Sequence, residues 1–349
     1  MGRIGTGRAA IVACAGPVSA VKNRSLLWCY GGITWCATGE KRSMKYVVTG
    51  GAGFIGSHLA EELASRHDVV ILDDFSSGKM AHIAELIHRE NVELVRGSVT
   101  DPVVLREVCD GADGVFHLAA IASVPRSVED PFAIHEVNIT GTLRVLIAAR
   151  DAGVRKVVGA STAALYGNSP VLPKTEMMRP EPLSPYAVSK LADEYYGHVF
   201  TRCYGLSTAF LRYFNVYGPR QDPESDYAAV IPRFISRLCA GSPPVIFGDG
   251  EQTRDFVFVR DVVRANISVM ENDAEGVFNI ACGRQTSLNE LARMLGAIIG
   301  VAVSPVYEAP RPGDVRHSVA DISSARAAFG YEPQCTMMDG LKETVEWFR

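Results

Sequence analysis

From Met44 onward the sequence predicts a doubly wound parallel α/β sheet followed by a smaller C-terminal lobe, and two observations carry that expectation. Short apolar runs alternate with stretches of helical spacing, the order that builds βαβ units. The runs are also continuous rather than alternating, which implies strands buried on both faces of a sheet. With 47% hydrophobic residues in 349, the chain has enough apolar material for such a core.

The elements follow in order. "KYVVTGG" at 45–51 is a β-branched run ending in glycines, "FIGSHLAEELAS" at 54–65 has helical spacing, and "DVVILDD" at 68–74 is a second strand. Further strands are expected at "VELVRG", "GVFHLAA", "KVVGAS" and "LSTAFLR", with helices over 131–152 and 186–204 between them. A nucleotide-binding domain is therefore expected over 44–218. The Pro-rich remainder, 219–349, with "GPRQDPES", "GSPPV" and "EAPRPGD", is expected to form the smaller lobe. Within it 250–281, containing "RDFVFVRDVV", is expected to return to the first domain.

Residues 1–43 differ in composition. They carry six basic residues, Arg3, Arg8, Lys22, Arg24, Lys41 and Arg42, against the single acid Glu40, about +5 in a chain whose formal net charge is −4. The rest of the chain is therefore markedly acidic. The apolar run from Ala9 to Val21 is broken by Gly16 and Pro17 and is too short to span a bilayer. A basic start before a short apolar run also fits a signal peptide. The preferred expectation is a disordered extension, or one lying upstream of a natural start at Met44.

Charge and cysteine content narrow the function. Lys and Arg are scattered and the pI is near 6.1, so neither nucleic acid nor membrane is an expected partner and a small molecule is. The eight cysteines show no C-x-x-C, which signals neither a zinc cage nor a disulfide framework; no metal is expected.

"TGGAGFIG" supplies Gly50, Gly51, Gly53 and Gly56 around Phe54 and Ile55. It follows a strand and opens a helix, where a tight turn, a backbone able to touch a pyrophosphate and a helix N-terminus facing negative charge are needed. Asp73 ends the next strand, 20 residues after Gly53, where a carboxylate holds adenosine ribose hydroxyls and repels a 2′-phosphate. The expectation is a Rossmann arrangement binding NAD rather than NADP.

"SPYAVSK" places Tyr186 four residues before Lys190. Spacing alone does not separate a reactive pair from ordinary neighbours on a helix surface. A phenol ionises near pH 10 when unperturbed, so a tyrosine base needs help. Ser184 and Pro185 suit N-cap and N1, which sets Tyr186 in the first turn, where the dipole favours an anion. Lys190 adds a full positive charge one turn on. In "STAALYG", Thr162 ends the fifth strand, where sheets present ligand-contacting residues.

Together the glycine turn, "HLAA", Ser161 and Thr162 before "YG", Tyr186-x-x-x-Lys190 and "RYFNVYGPRQ" resemble the extended short-chain dehydrogenase/reductases, specifically their nucleotide-sugar 4-epimerases, over about residues 44–349. The resemblance implies an isomerase with tightly bound NAD that works through a transient 4-keto sugar. In it Tyr186 takes the proton of the sugar 4-hydroxyl, Lys190 holds the nicotinamide ribose and Thr162 orients the reacting oxygen. Leu118, Ala119 and Ala120 are implied to line the cofactor. The resembling dehydratases carry an Asp-Glu pair immediately after the threonine, and the decarboxylases a nearby glutamate; here Ala163 and Ala164 follow, leaving no acid and base for elimination.

The same resemblance implies a UDP-sugar substrate. Asn215, Arg254 and Arg311 fall at positions holding the diphosphate, Asp314 near the uridine ribose, and Ala229 and Val230 at the uracil. Two guanidiniums on one diphosphate give pairing that survives rotation of the sugar, although each arginine alone reads as a surface residue. Ser318 falls at a gate beside the sugar C2 substituent, where a small residue admits an N-acetyl group, and Ser123 in "SVPRS" faces the sugar. Read on its own, Ser318 merely starts a loop-to-helix passage. UDP-GlcNAc and UDP-GalNAc are thus expected, with UDP-Glc and UDP-Gal also possible. The alternatives are UDP-glucuronate epimerisation, a related nucleotide-sugar oxidoreductase, or a non-catalytic NAD-binding regulator. One departure is Ser98 in "GSV", where the family often has an adenine-contacting aspartate; Val99 is expected to supply a main-chain contact instead. A cytoplasmic homodimer built on helices 131–152 and 186–204 completes the implied picture.

Overall fold

The computed structural model describes residues 43–223, 229–310 and 315–349. The chain alternates as expected: β1 Lys45–Thr49, α1 Phe54–Leu63, β2 Asp68–Asp73, β3 Val92–Arg96, α2 Pro102–Cys109 and β4 Gly114–His117. Three helices follow, α3 Val124–Glu129, α4 Pro131–Ile134 and α5 Gly141–Asp151, then β5 Lys156–Thr162, α6 Pro185–Tyr204 and β6 Ser207–Tyr213. Beyond these lie β7 Asn215–Tyr217, α7 Val230–Cys239, β8 Val245–Phe247, β9 Thr253–Arg254, β10 Phe256–Phe258, α8 Val259–Glu271 and β11 Gly276–Ile280. The chain ends with β12 Thr286–Ser287, α9 Leu288–Ile299, β13 Val306–Glu308, α10 Ser323–Phe329 and α11 Met337–Phe348.

Seven strands form one parallel sheet in the order β11-β6-β5-β4-β1-β2-β3. Successive side chains of a strand point to opposite faces, and both faces here are covered. Val48, Ile71, Phe116 and Val158 pack with Leu59 of α1 and Val262 of α8. Val47, Val70, Val115 and Val157 pack on the other face with Leu105 of α2 and Val145 and Leu146 of α5. This two-sided burial is why the strands are continuous apolar runs.

From β1 the chain moves outward through β2 and β3, then crosses to β4 on the other side of β1. The gap between β1 and β4 is therefore the topological switch point, where the carboxyl ends of the strands leave a crevice.

The helix expected over 131–152 is interrupted. Between α4 and α5 the turn His135–Thr140 is a π-helix, which admits an extra residue into the helical run. Asn138 is buried there, accepting from Ile121 N at 2.8 Å and donating to Ser189 Oγ at 2.9 Å. Its amide thus joins the loop after β4 to α6.

Outside the sheet, Tyr217, Phe234, Ile235, Leu238, Phe256, Phe258, Leu291 and Leu341 gather in a third apolar cluster. Asp255, fully buried, ties this region to the sheet by accepting from the amides of Cys282, Gly283 and Ala320 at 2.9–3.1 Å. No helix among the described residues is long and apolar enough to cross a membrane.

Candidate active site

A cavity of about 490 Å³ opens at the switch point, from the glycine turn to the start of α6. At one end Gly50 follows β1 with φ +69, and a Cβ there would stand 2.8 Å from Ala119 N. At Gly56 a Cβ would run into the carbonyl oxygen of Gly50. Both glycines are required by close backbone approach, and together they press α1 onto the strand end. Gly53 is the N-cap of α1 and brings no capping side chain, so the first-turn amides remain available to an anion.

Asp73 lines the same cavity at the end of β2. Its carboxylate accepts from Ala52 N at 2.9 Å and Phe75 N at 2.8 Å, which fixes its orientation beside the glycine turn. Burial pushes its pKa up, and the two amides oppose that shift. Among other lining residues, Arg220 and Gln221 each keep one buried polar atom, Nη1 and Oε1, without a partner. An uncapped helix start, a carboxylate at the end of the next strand and a guanidinium with an unmet donor suit a dinucleotide carrying a pyrophosphate.

The cavity's other end holds Thr162, Tyr186 and Lys190. Ser184 caps α6 by accepting from Ala187 N at 3.2 Å, with Pro185 at N1, so Tyr186 lies in the first turn. Lys190 is almost fully buried, and its Nζ lies 3.1 Å from Asp193 Oδ2, one turn further along α6. Thr162 ends β5, where its hydroxyl accepts from Ala164 N at 3.2 Å.

Beneath these residues lies a buried polar network. Glu194 accepts from Ser161 Oγ at 2.5 Å and from Arg212 Nε and Nη2 at 2.8 and 2.7 Å. Arg212 also reaches Tyr166 Oη at 3.0 Å, and Tyr166 donates to Asn279 Oδ1 at 2.6 Å. This locks α6 to the ends of β5, β6 and β11. Nearby, His117 bridges Thr49 Oγ1 at 2.8 Å and Thr142 Oγ1 at 2.9 Å; burial, reinforced by the charge of Lys190, lowers its pKa to about 3.

The cavity brings together Gly50, Gly53, Phe54, Ile55, Gly56, Asp73, Val99, Leu118, Ala119, Ala120, Thr162, Tyr186 and Lys190. Ser98 is not in its lining: its hydroxyl pairs with Thr100 Oγ1 at 2.9 Å within the loop leading to α2. Ser123 is likewise outside the lining, because its hydroxyl caps α3 by accepting from Arg126 N. Asn215 is exposed on β7, Ala229 is the N-cap of α7 and Val230 its first residue. Ser318 N donates to Thr253 O at 3.2 Å, which sets Ser318 beside Arg254. Arg311 and Asp314 lie outside the described residues.

Sequence reasoning missed Lys79, His82, Arg220, Gln221 and Asp222 in the lining. Lys79 and Asp222 form an ion pair at 2.9 Å, and Arg220 binds Glu61 at 2.5 Å from a left-handed backbone, φ +66. The available signal was "SSGK" after Asp73 and "GPRQD" after Tyr217. Nothing in those loops shows that they meet across one cavity.

Comparison with known proteins agrees with this geometry. A model described as the NAD dependent epimerase/dehydratase family matches residues 46–281. A UDP-glucose 4-epimerase of Mycolicibacterium smegmatis is 41% identical over 310 residues, covering 88% of this chain and 99% of that protein. Among solved structures, a UDP-N-acetylglucosamine 4-epimerase from Methanobrevibacter ruminantium, in complex with UDP-N-acetylmuramic acid, matches with TM-score 0.86 at 41% identity, covering 88% of this chain and 99% of that one. A UDP-glucose 4-epimerase from Thermus thermophilus in complex with NAD matches with TM-score 0.79 at 38% identity, over 87% and 99% of the two chains. A glycine turn, the Asp73 carboxylate and a Tyr-Lys pair on one cavity thus coincide with matches over nearly the full length of the relatives, and the chain belongs to the NAD-dependent epimerase/dehydratase family, as an extended short-chain dehydrogenase/reductase of the UDP-sugar 4-epimerase type.

Proposed function

We propose that this enzyme interconverts the C4 epimers of UDP-hexoses, with UDP-GlcNAc and UDP-GalNAc as preferred substrates. The observation that carries the reaction type is the convergence of Thr162, Tyr186 and Lys190 on the far end of the dinucleotide cavity, with Ala163 and Ala164 in the turn that follows. Such a site can move one proton and one hydride but cannot eliminate water.

When bound, NAD supplies the acceptor and then the donor of the hydride at the sugar C4. Tyr186, as phenolate, takes the proton of the 4-hydroxyl as the C4–H bond is lost, and returns it when the 4-keto sugar is reduced on its other face. No proton or electron is gained overall. Lys190 stabilises the phenolate and holds the nicotinamide ribose, while Thr162 fixes the reacting oxygen. Such general acid–base help is worth about 10²–10⁴-fold.

The substrate assignment rests on Ser318. The Ser318 amide and the Arg254 guanidinium donate to the same carbonyl, Thr253 O, and a guanidinium suits a diphosphate, which supports the reading of Ser318 as a small residue beside the sugar. Asn215, Arg311, Asp314, Ala229 and Val230 are proposed to complete the nucleotide site, with Ser123 near the sugar. The similar M. ruminantium protein is a UDP-N-acetylglucosamine 4-epimerase, which supports the same preference. The test compares initial rates on UDP-GlcNAc and UDP-Glc for the native protein and Ser318→Tyr. The expected result is faster native turnover of UDP-GlcNAc, reversed by the tyrosine; an unchanged ratio would remove Ser318 from specificity.

A homodimer is part of this reading. Val188, Tyr195 and Val199 are exposed along α6, and Ile147 on α5, an apolar face suited to a second copy. Light scattering of the purified protein checks it, and a monomeric mass at working concentration would contradict it.

A further inference from the structure

Asp193 is a fully buried carboxylate that the proposed reaction does not use. It lies one helical turn beyond Lys190, with Oδ2 3.1 Å from Nζ and Oδ1 without a hydrogen-bond partner. The ionisable groups bearing on it are few. On α6 they are Lys190 and Glu194. Glu194 is engaged by Ser161 of β5 and Arg212 of β6. From α5, Thr142 is near enough to favour the carboxylate, while its hydroxyl makes its regular hydrogen bond with His117 of β4. Burial makes His117 hard to protonate, so it adds no charge near neutral pH.

Lys190 is almost fully buried with Asp193 as its ion-pair partner, and breaking a buried ion pair leaves an uncompensated charge. Resting on the reading of Tyr186 and Lys190 given above, we propose that Asp193 is a positioning residue for that pair. Its carboxylate holds the Lys190 ammonium charged and in place, and its negative charge sets the pH window in which one proton is shared between Tyr186 and Lys190.

The direction of the effect follows from charge alone. The active form has Tyr186 ionised and Lys190 protonated, so activity rises as the pair loses its first proton and falls as it loses its second. An anion nearby opposes both losses, whichever residue carries the proton. Burial pushes the Asp193 carboxyl up to about 6 against the pull of Lys190, so above that pH it is an anion and moves both limbs of the pH profile upward. It stands about 10 Å from Tyr186 along the helix, two turns away, where one charge at an effective permittivity of about 20 shifts a titration by roughly one pH unit, and 3.1 Å from Lys190 Nζ, where the same charge acts more strongly.

The test is Asp193→Asn, which keeps the shape and removes the charge, with Asp193→Ala as the second variant. Two readouts are taken: the pH dependence of kcat/KM, and the tyrosinate absorbance titration of each protein minus that of the same protein carrying Tyr186→Phe. In the folded variants the expected result is a downward displacement of both limbs, by about one pH unit on the lower limb, where Tyr186 ionises, and by more on the upper limb, where Lys190 loses its proton, with the Tyr186 absorbance step following the lower limb. Lower activity with limbs and step unmoved would show a merely structural role and overturn the proposal. So would failure of both variants to fold. The absorbance step needs no turnover, so an inactive native protein would count against the epimerase reading while leaving Asp193 testable.

Discussion

Single residues decide the chemistry, and Tyr186 is the one on which most depends. Replacing it with phenylalanine removes the proton acceptor and leaves the helix intact, so steady-state turnover is expected to fall about 10²–10⁴-fold with the melting temperature nearly unchanged. Retention of more than a tenth of the native rate would remove Tyr186 from proton transfer. The pair was legible in the sequence because cap, proline, tyrosine and lysine act within two turns of one helix, and local spacing sets their geometry. Asp193 was not, although it stands three residues away in the same stretch. Its significance comes from burial against α5 and the His117–Thr142 bridge, a long-range consequence of packing. At Ser98 and Ser123, outside the cavity lining, each hydroxyl has a local backbone or side-chain partner in its own loop, as serines in loops and at helix starts commonly do.

At the level of elements, the position of α6 against the sheet governs where Tyr186 and Lys190 stand. Glu194 and Arg212, each almost fully buried and doubly bonded to one another, form the main polar tie. Glu194→Ala would strand the guanidinium without its counter-ion, at a cost of about 3–5 kcal/mol. Chemical denaturation is expected to show that loss; a change below about 1 kcal/mol would mean that water or Tyr166 replaces the tie. The strands and α6 were readable as elements because apolar runs and capping residues are local signals. The π turn at His135–Thr140 was not, since it depends on Asn138 reaching Ile121 and Ser189 on neighbouring segments.

For the whole molecule, the doubly wound order was legible because two-sided burial leaves continuous apolar strands, whereas the contact between the Lys79 and Asp222 loops across the cavity depends on how distant segments meet. Stability should also carry the mark of histidines buried neutral. His58, a half-buried residue of α1, faces the loop after β7, with Nε2 3.0 Å from Pro219 O, and its partial burial lowers its pKa to about 4. The unfolded chain takes up a proton near pH 6.5 that the folded chain refuses until about pH 4, so His58 subtracts stability as pH falls through that window. In His58→Gln this loss is absent. The difference in urea midpoint between variant and native protein is expected to move in the variant's favour from about pH 6.5 down to about pH 4 and then level off; a pH-independent difference would show that His58 titrates normally in the fold.

Epimerisation by this chain requires a bound dinucleotide and a single proton acceptor acting on a sugar 4-hydroxyl. The most direct measurement is proton NMR of the purified protein with UDP-GlcNAc, without added NAD, following the anomeric signal. The expected result is a UDP-GalNAc signal that grows to a steady ratio with no net production of NADH. No galacto signal from UDP-GlcNAc or UDP-Glc, even after NAD is supplied, would contradict the 4-epimerase assignment and direct attention to other nucleotide sugars, UDP-glucuronate first.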